Sequence, residues 1–180
     1  MTGLHHMLVH FPIVLWLLAG SIMLLRLVRH TPEWLQMAGL LALALGVVTA
    51  LAAMLSGLFA WAPEAVLASP LGRNKLAFAL WTTAWWSMLL ILHWRLSAIL
   101  FAPGHRLLTA VLVLVGIVLV TITGTLGGLL GGVSAGIPEL LRQAGFEVYT
   151  TIRLPWWALL VLVASGLGLL RLAGGERRQA

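Results

Sequence analysis

Three histidines and a methionine stand together near the N-terminus, in Leu4-His5-His6-Met7-Leu8-Val9-His10-Phe11-Pro12-Ile13. Imidazole ligates haem iron and divalent transition metals. An ionisable side chain inside an apolar span is costly without a partner, so such residues mark candidate functional sites. His6 and His10 are four residues apart and share one helical face. That spacing suits a bidentate clamp on copper or zinc, with His5 or Met7 as a third ligand. It also suits one side of a b-type haem. Haem iron takes axial ligands on opposite faces, so the second ligand has to come from another helix, from Met54 or Met7, or from a partner subunit. A third reading gives the histidines no cofactor: they are solvated, or hydrogen-bonded to a neighbouring loop, at a helix start.

The elements that position these residues are set by composition. The chain has 180 residues, 61% hydrophobic and 9% charged, with a mean hydropathy of +1.04. Soluble domains carry roughly 25% charged residues, so this is a membrane protein. It has no cysteine, which excludes disulfides, iron–sulfur clusters, thiolate metal sites and covalent c-type haem attachment within the chain. The net charge is +6, but the basic residues sit near span ends. They read as topology signals and anionic-lipid contacts, and no basic stripe for nucleic acid is present.

The expected fold is all-α: one integral membrane bundle of five transmembrane helices formed by residues 1–180. Five apolar stretches approach the ~20 residues needed to cross a bilayer. They cover residues 7–28, 34–59, 76–100, 107–130 and 155–172. The first is expected to be retained, because no positive segment precedes it. Between spans four and five, residues 138–145 have Pro138 near a helix start and Gly145 just past its end. They are expected to form a short interfacial helix, with an ordinary loop as the alternative. The loop charges set the orientation. Arg26, Arg29, Arg95, Arg106, Arg171, Arg177 and Arg178 fall on one side, against Arg73, Lys75, Arg142 and Arg153 on the other. The positive-inside rule then puts the N-terminus outside and the C-terminus in the cytoplasm of a bacterial inner membrane. His5, His6 and His10 lie at the outer end. His93 lies roughly 28 Å deeper at ~1.5 Å per residue, so it should not share an iron with His10.

Small residues recur on the helices. Gly124, Gly128 and Gly132 form one stripe, Gly127 and Gly131 a second, and Ala42, Gly46 and Ala50 a third. Such stripes let helix backbones approach closely in lipid; on the last span they also offer a wall for a flat ligand such as a porphyrin or quinone. Of the nine tryptophans, Trp34, Trp61, Trp94, Trp156 and Trp157 fall at span ends. Trp81 and Trp85 share a face deeper in the third span and are candidates to line a cofactor.

The segment His6-Met7-Leu8-Val9-His10-Phe11-Pro12-Ile13 resembles the His-Pro-x-x-Val-His-Phe-Pro-Ile signature of a bacterial multi-span membrane-domain family of unassigned function. Gly57-Leu58-Phe59-Ala60-Trp61 is similar to that family's Gly-Leu-x-Asp-Trp element, and Gly124-Thr125-Leu126-Gly127-Gly128 to its glycine pair. The resemblance covers about residues 4–133. It implies a membrane domain associated with c-type cytochromes and respiratory redox genes, and binding of haem b. His6 and His10 are taken as the matched histidines, with Met7 at the proline position and Ala60 at the acidic one. Before the third span, where relatives often carry a histidine, the chain reads Leu71-Gly72-Arg73-Asn74. Arg73 is the candidate contact for an anionic group such as a haem propionate or a lipid phosphate.

The expected function is that of an integral membrane subunit of an electron-transfer complex. His6 and His10 contact haem b or a metal, and Arg73 an anionic group. Its partners are the bilayer and other membrane subunits or a periplasmic cytochrome. The alternative is a structural or anchor subunit that binds no cofactor. No catalytic residue is assigned, because no Ser-His-Asp pattern, P-loop or paired intramembrane carboxylates are present.

Overall fold

The computed structural model describes residues 2–132, 140, 142–145, 157, 160, 161, 164, 165, 167 and 168. Every element among them is helical: α1 (Thr2–Val28), α2 (Glu33–Ala60), the short α3 (Pro63–Ala68), α4 (Pro70–Leu100), a 3₁₀ turn (Pro103–His105) and α5 (Arg106–Leu130). A bilayer offers the backbone no water to bond to, so the chain must satisfy its own amides, and helices do so within one segment. Four helices are long and apolar enough to span. The expected fifth span, residues 155–172, lies mostly outside the described residues. Its described residues Trp157, Leu160, Val161, Ala164, Ser165, Leu167 and Gly168 are helical, and Gly168 packs on Leu108 of α5. The expected interfacial helix is described only at Leu140 and residues 142–145. Leu140, Arg142 and Gln143 are helical, and the turn ends at Gly145 with φ +88°.

The helix boundaries follow local chemistry. Pro32 precedes α2 in an extended conformation. Ser69 caps α4 by accepting the Gly72 N–H at 2.9 Å, with Pro70 at the first helical position. Residues 63–72, between the expected spans two and three, form α3 and the first turn of α4. That tight corner needs Gly72, because a Cβ there would run into the Val66 carbonyl. α5 ends at Leu130 with Gly131 as its C-cap, and Gly132 just beyond has a φ of +80°, the left-handed conformation that stops a helix cheaply at glycine.

The four long helices form a ring: α1 packs on α2 and α5, and α4 packs on α2 and α5. At its centre Trp16 of α1 and Trp86 of α4 stack, with ring centroids 5.7 Å apart and planes 7° from parallel. Glycines make room for both indoles. Trp16 lies over Gly46 so closely that a Cβ would overlap the ring. Trp86 touches Gly20 and Gly116, where added Cβ atoms would fall 3.2 and 2.9 Å from it. Polar groups then tie α4 to α5. Trp86 Nε1 donates to the Gly116 carbonyl (3.2 Å), Trp85 Nε1 to the Leu112 carbonyl (2.8 Å), and Thr82 bonds Thr123 (2.7 Å). Of the two tryptophans singled out in the third span, Trp81 is exposed and Trp85 is committed to a helix–helix bond.

The two kinds of glycine should respond oppositely to substitution. Gly46→Ala drives a methyl into Trp16 and is expected to cost roughly 1–3 kcal/mol, the usual range for overpacking. Gly124→Ala meets only the Ile13 Cδ1 methyl at 3.5 Å and should be neutral or stabilising, because alanine favours helix over glycine by about 1 kcal/mol. Thermal melts of the two purified variants in one detergent check this.

Candidate functional site

Above the stacked indoles, towards the N-terminus of α1, the four helices enclose a cavity of about 450 Å³. That is within the ~300–1,000 Å³ usual for small-molecule sites. Its deep end is Trp16, and its other end carries His5, His6, His10, Trp61 and Lys75. The sides are small: Ala50 and Ala53 of α2, Ala79 of α4, and Gly124, Gly127, Gly128 and Gly131 of α5. The α5 glycine stripes therefore do not serve direct helix contact here. Gly127 faces the Lys75 stem, with Cε 3.2 Å from the position of an added Cβ, and Gly131 faces His6 Nε2 at 3.4 Å. The α2 row behaves as expected for packing: Ala42, Gly46 and Ala50 are buried, and Gly46 receives Trp16.

Each histidine is held differently. His5 is only 4% exposed. Its Nδ1 lies 2.9 Å from Ser56 Oγ, and Ser56 Oγ also lies 2.8 Å from the Ala53 carbonyl. In the His5–Ser56 contact either group can be the donor, and the His5 ring also bonds the Ala53 backbone. His10 Nδ1 lies 2.6 Å from the His6 carbonyl. A carbonyl can only accept, so His10 is the Nδ1–H donor with Nε2 left to ligate or accept. Fixing one ring nitrogen in this way is how proteins orient a ligating imidazole. Trp61, from the end of α2, meets both other rings edge to face, at 5.0 Å from His5 and 5.9 Å from His6. It thereby fixes the first turns of α1 against α2.

The expected site is thus partly assembled. His6 and His10 line one cavity, on the same side of it. Arg73 does not line it: its guanidinium donates to the Leu67 and Ala68 carbonyls at 2.8 and 3.2 Å, closing the end of α3. The cation in the cavity is Lys75, two residues on, which sequence reasoning used only as a loop charge. Helical phase carried the missed signal, since the exposed Arg73 and the half-buried Lys75 cannot share a face. His5 was left outside the candidate site, yet it is the buried histidine. His93 lies at the opposite end of α4, against Phe101 with ring centroids 5.5 Å apart, as the depth argument requires. Among the described residues no three His or carboxylate side chains come close enough to hold a metal ion together.

A family model described as a predicted membrane protein (DUF2231) matches residues 2–137. The chain belongs to this family, and the match contains the four spans found among the described residues and the whole described cavity. No curated protein matches the chain. No solved structure matches it.

Removing the hydroxyl in Ser56→Ala takes away one partner of His5 Nδ1. Imidazole ¹⁵N shifts, recorded above the titration range of histidine, should show a single Nδ1–H tautomer at His10 in the parent chain. Ser56→Ala should move the His5 shifts and leave those of His10 unchanged.

Proposed function

We propose that this membrane protein is the membrane-embedded subunit of an electron-transfer assembly, and that its histidine-lined cavity holds haem b. The observation that carries the reading is His10, which lines the cavity beside His6 with its Nδ1–H committed to the His6 carbonyl and Nε2 left to ligate. When bound, haem supplies one-electron exchange; this chain supplies ligation, orientation and exclusion of water. His6 and His10 are the candidate ligands. Trp61 and the His6 carbonyl hold their rings, and the glycine face of α5 leaves room for a flat macrocycle. All three histidines come from one helix, and the rest of the cavity lining is mostly small or apolar and includes Met54, so the residues fit a haem ligated by histidine from α1. A proximal histidine alone suffices for such a haem. A bare metal ion is served less well, because His6 and His10 would be its only described side-chain ligands apart from a neighbouring His5.

The same reading assigns orientation and partners. Arg26, Arg29, Arg95 and Arg106 lie at the end away from the cavity, against Arg73 and Lys75 at the cavity end. The positive-inside rule then places the first end in the cytoplasm and the cavity towards the outer face of a bacterial inner membrane. A periplasmic cytochrome or another membrane subunit is the electron partner that this placement serves.

A reduced-minus-oxidised absorption spectrum of the purified full-length chain, reconstituted with haem, tests the reading. A b-type band is expected, and His10→Ala should lose it or shift it, with His6→Ala weakening it. A folded protein that stays colourless with haem would sink the reading in favour of an anchor subunit. Because the chain has no cysteine, single cysteines report topology directly. A cysteine at Thr2 should react with an impermeant maleimide added outside intact cells, and one at Arg29 should not.

A further inference from the structure

Lys75 is the feature of the cavity that ligation does not use. It sits near the start of the spanning helix α4 and lines the cavity. Its stem lies along Gly127, where Cε is 3.2 Å and Nζ 3.9 Å from the position a Cβ would take. Any larger residue at 127 would occupy the path of the lysine, so the glycine keeps the ammonium beside the cavity. No carboxylate among the described residues lines the cavity. The described carboxylates are Glu33, at the opposite end of the bundle, and Glu64, exposed on α3. A charge placed in a membrane-embedded cavity is costly unless an opposite charge meets it there. His5 and His6, at the same end, add hydrogen-bonding nitrogens and no negative charge.

We propose that the cavity is a site for an amphiphile bearing a carboxylate on an apolar body, and that Lys75 anchors the carboxylate. One ammonium balances one carboxylate, whereas a phosphate dianion would stay partly uncompensated in a low-dielectric site. The apolar body would lie along the alanine and glycine walls towards Trp16, a run from His5 to Trp16 of roughly 16 Å at 1.5 Å per residue. A porphyrin propionate and a fatty acid present the same group. The inference therefore goes beyond the haem reading and stands without it.

The test uses the full-length chain in detergent and two acid–ester pairs: haemin with its dimethyl ester, and palmitate with methyl palmitate. Native mass spectrometry measures binding of all four, and absorption follows haemin. In the parent chain at least one acid is expected to bind about tenfold more tightly than its ester, a difference of about 1.4 kcal/mol. Lys75→Met, which keeps an apolar stem, should erase that preference, and Lys75→Arg should restore it. A preference confined to the palmitate pair supports the proposal with a fatty carboxylate as ligand, and at the same time counts against haem. A preference confined to the haemin pair supports it with a propionate as the anchored group. If haemin binds with a shifted Soret band but acid and ester bind alike, the proposal is overturned and the haem reading survives. It is overturned equally if the preference persists in a folded Lys75→Met chain, or if neither acid binds.

Discussion

The stack of Trp16 on Trp86 sets the spacing of the whole bundle. Two indoles with planes 7° apart occupy the centre of four helices, and they fit only because Gly20, Gly46 and Gly116 offer no side chain where the rings lie. In lipid the hydrophobic effect does not drive helices together, so this close packing and a few interhelical hydrogen bonds have to hold the ring of helices closed. The bonds from Trp85, Trp86 and Thr82 lie beside the stack and on the same α4–α5 seam. Below the stack, Arg26 reaches across to Ser97 at 3.0 Å and lies over the Phe101 ring, which joins α1 to the far end of α4.

The cavity is the converse of that packing. A glycine opposite a tryptophan gives a tight contact. The α5 glycines towards the histidine end face only side-chain tips, namely Ile13, Lys75 and His6, and leave volume beside them. The walls include Ala50, Ala53, Ala79, Gly124, Gly127 and Gly128, with Val9, Ile13 and Met54 also lining the space. The polar groups that line it include His5, His6, His10 and Lys75. Trp61 closes α2 against the two histidines nearest the chain start. A void edged by donors and a cation is suited to a ligand, because the free energy forgone in packing is recovered only when something fills it.

Much of the fold was legible in the sequence. Span positions came from apolar run length, and residues 34–59 and 107–130 lie within one residue of the observed α2 and α5. The histidine end and its distance from His93 followed from helical rise alone. Arg73 and Lys75 were not separable in the same way, because both looked like loop charges. Their roles split only when residues 63–72 folded into α3 and the start of α4, which sent Arg73 to the α3 carbonyls and Lys75 into the bundle. The tryptophans mislead for a related reason: adjacent Trp85 and Trp86 point to different neighbours, and only the partners on α1 and α5 show which is the core.

What the sequence by itself determined is a membrane bundle with a histidine cluster at one end. Those properties depend on local quantities, namely hydropathy, rise per residue and the placing of proline and glycine. What only the tertiary structure decided is which small residues pack and which leave a cavity, which histidine is buried, and which cation faces the space. Each of these depends on the partner across the bundle, as Gly46 against Trp16 and Gly127 against Lys75 show. A residue's spacing along its own helix carries no record of the residue that will face it.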